Sequence, residues 1–330
     1  MGVPRVTIVI VPREQFGRAP AALERVYAAT SPPFELVYVD GNSPPSLRRY
    51  LDQEAARRGF TLVRTDHYLT SNEARNLGLE RVRTPYVAFL DNDVAPEPGW
   101  LDTLVACAEE TGAWVVGPIV HQDEGAVRLV HYGGAAIRIV EDAGIRRFSY
   151  TPQITNVPVS RAPVLERTRC DLVKFYGVLV RRDALDRVGP FDEGVRSFFE
   201  PADFALAIQA AGGEVYLEPR AVVTHTLPPP LPAADLPFFL LRWSNEWLHP
   251  TLRHFARKHG LSLDDPGLRH HWHWRSYHRR RALPPALWRL LRTPPFKYPA
   301  KAVDRLVFDG LLESTVVRPA ERRRPASGAA

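Results

Sequence analysis

Tyr86-Val87-Ala88-Phe89-Leu90-Asp91-Asn92-Asp93 decides the fold. Five mostly apolar residues lead straight into two carboxylates spaced one residue apart. A short apolar run of this kind reads as a buried strand of a parallel sheet. Pro96, Pro98 and Gly99 forbid its continuation. In open α/β sheets the ligand crevice lies at the carboxyl ends of the strands. A D-x-D there offers hard oxygen ligands to a divalent cation that could bridge to a diphosphate. Asp and Asn are also turn residues, so the triplet gains its meaning from the strand before it.

The surrounding sequence alternates strand and helix. Residues 5–11 and 34–40 read as strands, 19–29 and 46–58 as helices, and 60–64 as a third strand. Gly59 stops the second helix. Thr70 and Glu73 fit a capping box that opens a helix over 71–82. Such alternation with short turns implies parallel strands and right-handed crossovers. Residues 114–120 and 174–180 read as strands, 121–170 as loops with short strands, and 183–188 and 200–211 as helices. Residues 214–218 and 221–224 read as the last strands. Leu227-Pro228-Pro229-Pro230-Leu231-Pro232 reads as a stiff polyproline linker before a helical, aromatic region over 235–310.

Composition bounds the function. The 330 residues are 45% hydrophobic and carry a net charge of +6, with two cysteines, Cys107 and Cys170. No disulfide framework follows. No apolar run reaches the roughly 20 residues that span a bilayer, and no signal segment opens the sequence. A cytoplasmic protein is expected. Arg and His crowd the region after about residue 250, as in His270-His271-Trp272-His273-Trp274-Arg275. This reads mainly as solvated surface, and no nucleic acid partner is expected. Residues 284–312 read first as packing helices, and suit peripheral contact with the inner face of a membrane if the acceptor is lipid-linked. Residues 319–330 read as a disordered tail.

Four further sites carry chemistry. Asp40 ends the second strand and can accept hydrogen bonds from a base or ribose, or cap the turn after it. Asn72 to Gly78 opens a helix whose N–H groups and dipole suit an anion, with Arg75 adding a fixed charge. Phe198-Phe199-Glu200-Pro201-Ala202-Asp203-Phe204 places two acids at a helix start. Pro201 fits the first helical position, which makes Glu200 the N-cap. The helix dipole favours negative charge there, and an acid beside a crevice can serve as general base; a plain capping pair has the same spacing. His225 follows a strand, where it can join Asp91 and Asp93 on a metal.

The order and spacing of these pieces resemble the family 2 glycosyltransferases with a GT-A fold, over roughly residues 5–226. The pieces are Val39 to Ser43, Asn72 to Gly78, Tyr86 to Asp93 with Pro98-Gly99-Trp100-Leu101, and Gly177 to Arg182 continuing through Gly189-Pro190-Phe191-Asp192-Glu193 to Gly212. The resemblance implies an α/β fold with a Rossmann-like, mostly parallel central sheet flanked by helices, here with a C-terminal helical extension. It divides the chain into a nucleotide-sugar-binding half over 1–120, an acceptor and catalytic half over 121–226, and an extension over 227–318. It implies an inverting, metal-dependent transfer of sugar from a nucleotide-diphosphate donor, a UDP-sugar in the first instance, to a glycan or lipid-linked acceptor in polysaccharide or glycoconjugate biosynthesis. Asp40, Asn72, Arg75, Asp91 and Asn92 would meet the nucleotide. Asp91, Asp93 and His225 would hold Mn²⁺ or Mg²⁺. Glu200, with Asp203 second, would be the base.

The chain departs from the family pattern in two places. Pro12-Arg13-Glu14-Gln15 replaces the usual Pro-Thr-x-Asn turn, and Pro201 stands where an Asp commonly follows the Glu. The second departure keeps a catalytically weak sugar-nucleotide-binding scaffold as the alternative. A nucleotidyltransferase is a further alternative, but it would carry a Gly-rich loop after the first strand, which this chain lacks.

Overall fold

A computed structural model describes residues 2–124, 126–225, 231–292 and 297–324. The strands at its centre are the apolar runs of the sequence. In chain order, β1 (Val6–Val11), β2 (Glu35–Gly41), β3 (Thr61–Thr65) and β4 (Tyr86–Asp91) line up as β3-β2-β1-β4. All three pairings are parallel, and Val11 pairs with Asp91. Every residue of β1 is buried, as expected of a strand covered on both faces. The crossovers are α1 (Ala19–Ala29), α2 (Pro45–Arg58) and α3 (Ser71–Leu79). The Thr70–Glu73 capping box forms in full at the start of α3. α3 lies so close to β1 that a methyl group on Gly78 would overlap the Val9 side chain.

Beyond β4 the sheet becomes mixed. After β5 (Val94–Pro96) and α4 (Trp100–Thr111) come β6 (Val115–Glu124) and β7 (Val127–Tyr132). The hairpin β8 (Ala135–Asp142) and β9 (Ile145–Pro152) follows, then β10 (Val157–Pro158), β11 (Thr168–Cys170) and β12 (Val178–Arg181). β12 inserts antiparallel between β4 and β6. The segment expected to be mostly loop therefore holds a regular hairpin with eight residues in each strand. Its alternation is real: Ala135 and Ile137 are buried while Arg138 points outward. The strand expected from Lys174 starts only at Val178.

α5 (Arg182–Val188) and α6 (Glu200–Ala210) lead to β13 (Val215–His225). β13 is one strand with an irregularity between Glu218 and Val222, where two strands were expected. The C-terminal helices are α7 (Leu236–Arg242), α8 (Asn245–His259), α9 (Pro266–Arg279), α10 (Pro285–Arg292), α11 (Lys297–Val303), a π-helix over Asp304–Val317, and α12 (Arg318–Arg322). They share one apolar core with the sheet: Phe16, Phe199, Phe238, Trp247 and Phe255 belong to the same cluster. Trp243 and Trp247 are buried in that core.

Of the expected linker, residues 227–230 lie outside the described residues. Of the expected disordered tail, residues 325–330 also lie outside them, whereas residues 319–322 are helical and Arg324 bonds Glu73 and Glu321. No helix among the described residues is long and apolar enough to cross a membrane.

Candidate active site

The carboxyl ends of β1, β2 and β4 meet in one crevice, and α6 and α7 close it from the other side. Asp91 ends β4, and Asn92-Asp93 form the turn into β5. β5 pairs antiparallel with the end of β13, so that His225 faces Val94. That register brings His225 Nε2 to 3.7 Å from Asp93 Oδ2. A cavity of about 130 Å³ opens beside Asp93, lined also by Arg18, Ala22, Arg25 and Val94.

Asp91 looks toward arginines. Arg13 Nε lies 3.3 Å from Asp91 Oδ2. Arg75 Nη2 lies 3.8 Å from Asp91 Oδ1. Burial raises the Asp91 pKa, against Arg13 and Arg75, which lower it. Burial alone would lower the Arg13 pKa, but Asp91, ahead of Glu14, carries it upward. Arg75 stacks 3.8 Å over the ring of Phe175, and burial brings its pKa down to about 10.

Unpaired atoms sort the candidates. Asp91 Oδ1, both Asp93 oxygens and Glu200 Oε1 are buried without a hydrogen-bond partner. Native proteins rarely leave buried polar atoms so, and the carboxylate oxygens among these share one crevice. Asp40, Asn72 and Asp203 already have protein partners. Asp40 accepts from Ser43 N–H at 3.0 Å and from Arg64 Nε at 2.7 Å. It thereby holds the turn in which Asn42 adopts a left-handed φ of 61°. Asn72 accepts from Arg75 Nη1 at 3.0 Å and donates to Asp192 O at 2.8 Å. Both are positioning residues in this structure. Asp203 is spent on Lys258 Nζ at 2.8 Å and His259 Nε2 at 2.9 Å.

Glu200 is placed differently from the sequence expectation. Phe199 is the N-cap, and Glu200 is the first residue of α6 with Pro201 after it. The backbone upstream is strained: Phe198 has φ 74°, rare for a bulky side chain and worth about 1–3 kcal/mol. Its ring is wedged edge-on against Trp243 at 5.1 Å and His271 at 5.5 Å. This bend buries Glu200 in the crevice, 3.9 Å from Arg242 Nη1.

Arg242 is the residue that the sequence reading missed. It projects from α7, is 5% exposed, and bonds Glu14 Oε1 at 2.8 Å and Ser71 Oγ at 3.3 Å. Arg13 Nη1 reaches the same Ser71 Oγ at 3.2 Å. Burial alone would raise the Glu14 pKa, but Arg242 and Arg13 hold it at about 2. Arg13, Arg75 and Arg242 thus form a cationic wall facing Asp91 and Glu200.

Among the described residues, no three His, Cys, Asp or Glu side chains are arranged to hold a metal ion by themselves. Asp93 and His225 stand together, while Asp91 is turned toward Arg13 and Arg75. Their partnerless oxygens suit a hard divalent cation that draws its remaining ligands from a bound anion.

Residues 7–163 match the family model described as glycosyl transferase family 2. A pre-mycofactocin glycosyltransferase of Mycobacterium tuberculosis is 34% identical over 153 residues, 46% of this chain and 29% of that protein. Succinoglycan biosynthesis protein ExoM of Rhizobium meliloti is 26% identical over 244 residues, 72% of this chain and 68% of that protein. The chain therefore spans less than a third of the mycobacterial relative's length. Among solved structures, GalNAc-T7 with UDP, GalNAc and Mn²⁺ superposes with a TM-score of 0.58 at 14% identity, over 98% of this chain and 58% of that one. That likeness shows the fold: a mixed α/β GT-A fold with a largely parallel central sheet.

Proposed function

We propose that the chain is a family 2 glycosyltransferase, as the family match over residues 7–163 supports, and that it moves a sugar from a nucleotide-diphosphate donor to an acceptor hydroxyl, with inversion, in glycan biosynthesis. One observation carries the reading: partnerless carboxylate oxygens of Asp91, Asp93 and Glu200 converge on one crevice with Arg13, Arg75 and Arg242. The arginines supply fixed positive charge for a diphosphate. Asp91, Asp93 and His225 would hold Mn²⁺ or Mg²⁺, and the neighbour solved with UDP and Mn²⁺ adds weight to both ligands. A bound divalent ion supplies Lewis-acid neutralisation of a leaving diphosphate.

Glu200 is the base in this reading, in preference to Asp203, whose oxygens are taken. The acceptor oxygen attacks the anomeric carbon from the face opposite the diphosphate. A new C–O bond forms as the bond to the phosphate oxygen breaks, and the acceptor proton passes to Glu200. The strained approach through Phe198 fixes the position of that carboxylate, and positioning is a large part of such catalysis. α10 adds a surface element, with Leu287 and Leu290 partly exposed beside Arg289. It suits peripheral contact with a membrane that presents a lipid-linked acceptor.

The test is thermal stabilisation by UDP, GDP, dTDP and CMP, with and without Mn²⁺, beside an Asp91→Ala/Asp93→Ala variant. A ligand that binds only the native state raises its apparent stability. The expected result is a shift for one nucleotide that needs both Mn²⁺ and the two aspartates. No shift for any nucleotide removes the donor site and leaves a scaffold.

A further inference from the structure

Among the described residues, no carboxylate pairs with the Lys174 ammonium. The three crevice arginines each face a carboxylate. The Lys174 ammonium makes neither a hydrogen bond nor an ion pair with any described residue, and only the backbone carbonyl of Lys174 is engaged, by the Tyr176 amide at 2.8 Å. Its ammonium lies 4.5 Å from the centroid of the Tyr132 ring. Burial, then repulsion by Arg13, brings its pKa down to about 8, and no acid acts against them.

Its neighbours bracket the middle of the crevice. Tyr132 follows His131, whose ring stacks 5.5 Å from His225. Tyr176, two residues after Lys174, packs 5.1 Å from the same imidazole. Phe175, between them, turns the other way to support Arg75. On the opposite side stands His271, whose pKa falls to about 4 through burial, with Lys174 among the minor causes. His271 rests 4.2 Å from the Phe199 ring, one residue before Glu200. Lys174 therefore lies between the Asp93–His225 corner, where the donor diphosphate is placed, and the end of α6 that carries the base. In a transfer from one to the other, this is where the acceptor sits.

A partly buried ammonium pays for lost hydration. The Tyr132 face offsets about 0.5–2 kcal/mol of that. A methionine or leucine would fill the space without the penalty, so the charge itself calls for a ligand. The diphosphate already has three arginines. Resting on the donor and base placement above, we propose that Lys174 reads an anionic substituent of the acceptor, so that the enzyme extends an acidic glycan bearing a carboxylate or phosphate group.

The experiment uses the full chain with UDP and Mn²⁺ at pH 7. Saturation-transfer NMR titrations compare methyl β-D-glucuronide, glucose 6-phosphate and methyl β-D-glucoside. At least one acidic sugar is expected to bind about tenfold more tightly than the neutral one, or about 1.4 kcal/mol. Which of the two wins names the substituent. Lys174→Gln should abolish the preference, Lys174→Arg should keep it, and UDP stabilisation should not change in either. In the native chain the preference should fade as pH rises through about 8, where the ammonium loses its proton. A preference that survives Lys174→Gln, or no preference in the native chain, overturns the proposal. So does loss of UDP binding in Lys174→Gln, which would make Lys174 a donor residue. A native chain that binds no nucleotide defeats the donor reading instead, and the sugar titrations repeated without nucleotide then decide Lys174 by the same criteria.

Discussion

One helix, α6, carries two acids three residues apart that live in opposite surroundings. At its first residue, Glu200 enters the crevice with one oxygen unpartnered. One turn on, Asp203 meets the basic end of α8, and the neighbouring Asp192 takes His254 at 2.9 Å and Lys258 at 2.7 Å. The acids of the α6–α8 seam hold helices together. The crevice acids face arginines and a histidine and keep oxygens without a hydrogen bond. Side-chain type and helical position are nearly the same, so role here is set by what the rest of the chain brings within reach. The same contrast separates Asp91 and Asp93 from Asp40, which Arg64 and the Ser43 amide already occupy.

Breaking this contrast starts with Glu200→Gln. Turnover should fall by about 10²–10⁴-fold, the worth of a general base, while nucleotide-dependent stabilisation persists. A fall of less than about threefold would transfer the role elsewhere. Next, Gly78→Ala should lower unfolding free energy by about 1–3 kcal/mol, because the added methyl forces α3 away from β1. Arg75 moves with α3, so nucleotide stabilisation should weaken too; retention of both would show that the helix yields freely. Asp203→Asn should do the converse of Glu200→Gln. It loosens two charged contacts and costs about 1–2 kcal/mol in denaturant titration, reduced because Lys258 is partly solvated. Turnover per folded molecule should stay within about threefold, and a larger loss would erase the distinction between the two acids.

The smallest effect is in acid. Burial alone would raise the Asp192 pKa, but Lys258 and His254 hold it at about 2. Its contribution is complete above the ordinary carboxylate value and is lost as pH falls toward 2. Asp192→Asn should therefore flatten the acid limb of the stability curve and leave its neutral plateau lower. An unchanged acid limb would place the seam's strength in apolar packing.

Much of this was legible in the sequence, for reasons of distance. Strand ends and caps depend on residues a few positions apart, so Asp91, Asp93, the Thr70–Glu73 box and the α6 acids could all be found. His225 was found because it ends a strand. What filled the other sites came from afar. Arg64 on β3 takes Asp40, the Asp192 loop takes Asn72, and α8 takes Asp203. No spacing within the motifs announces these partners. Arg242 reaches Glu14 across 228 positions; its signal was a lone charge between Leu241 and Trp243, both buried. The β8–β9 hairpin was hidden by its glycine and charges, although its buried residues alternate.

The Glu14–Arg242 pair has a consequence for biogenesis. At about 5–20 residues per second, roughly 10–45 s separate the synthesis of the two partners. Through that interval the nascent sheet carries an acid whose cation has not been made, and the cationic wall lacks one of its three members. The wall is thus completed only when α7 has been made, after every strand of the sheet. A ribosome-bound chain stalled before α7 would own most of its sheet and lack the third arginine of the wall.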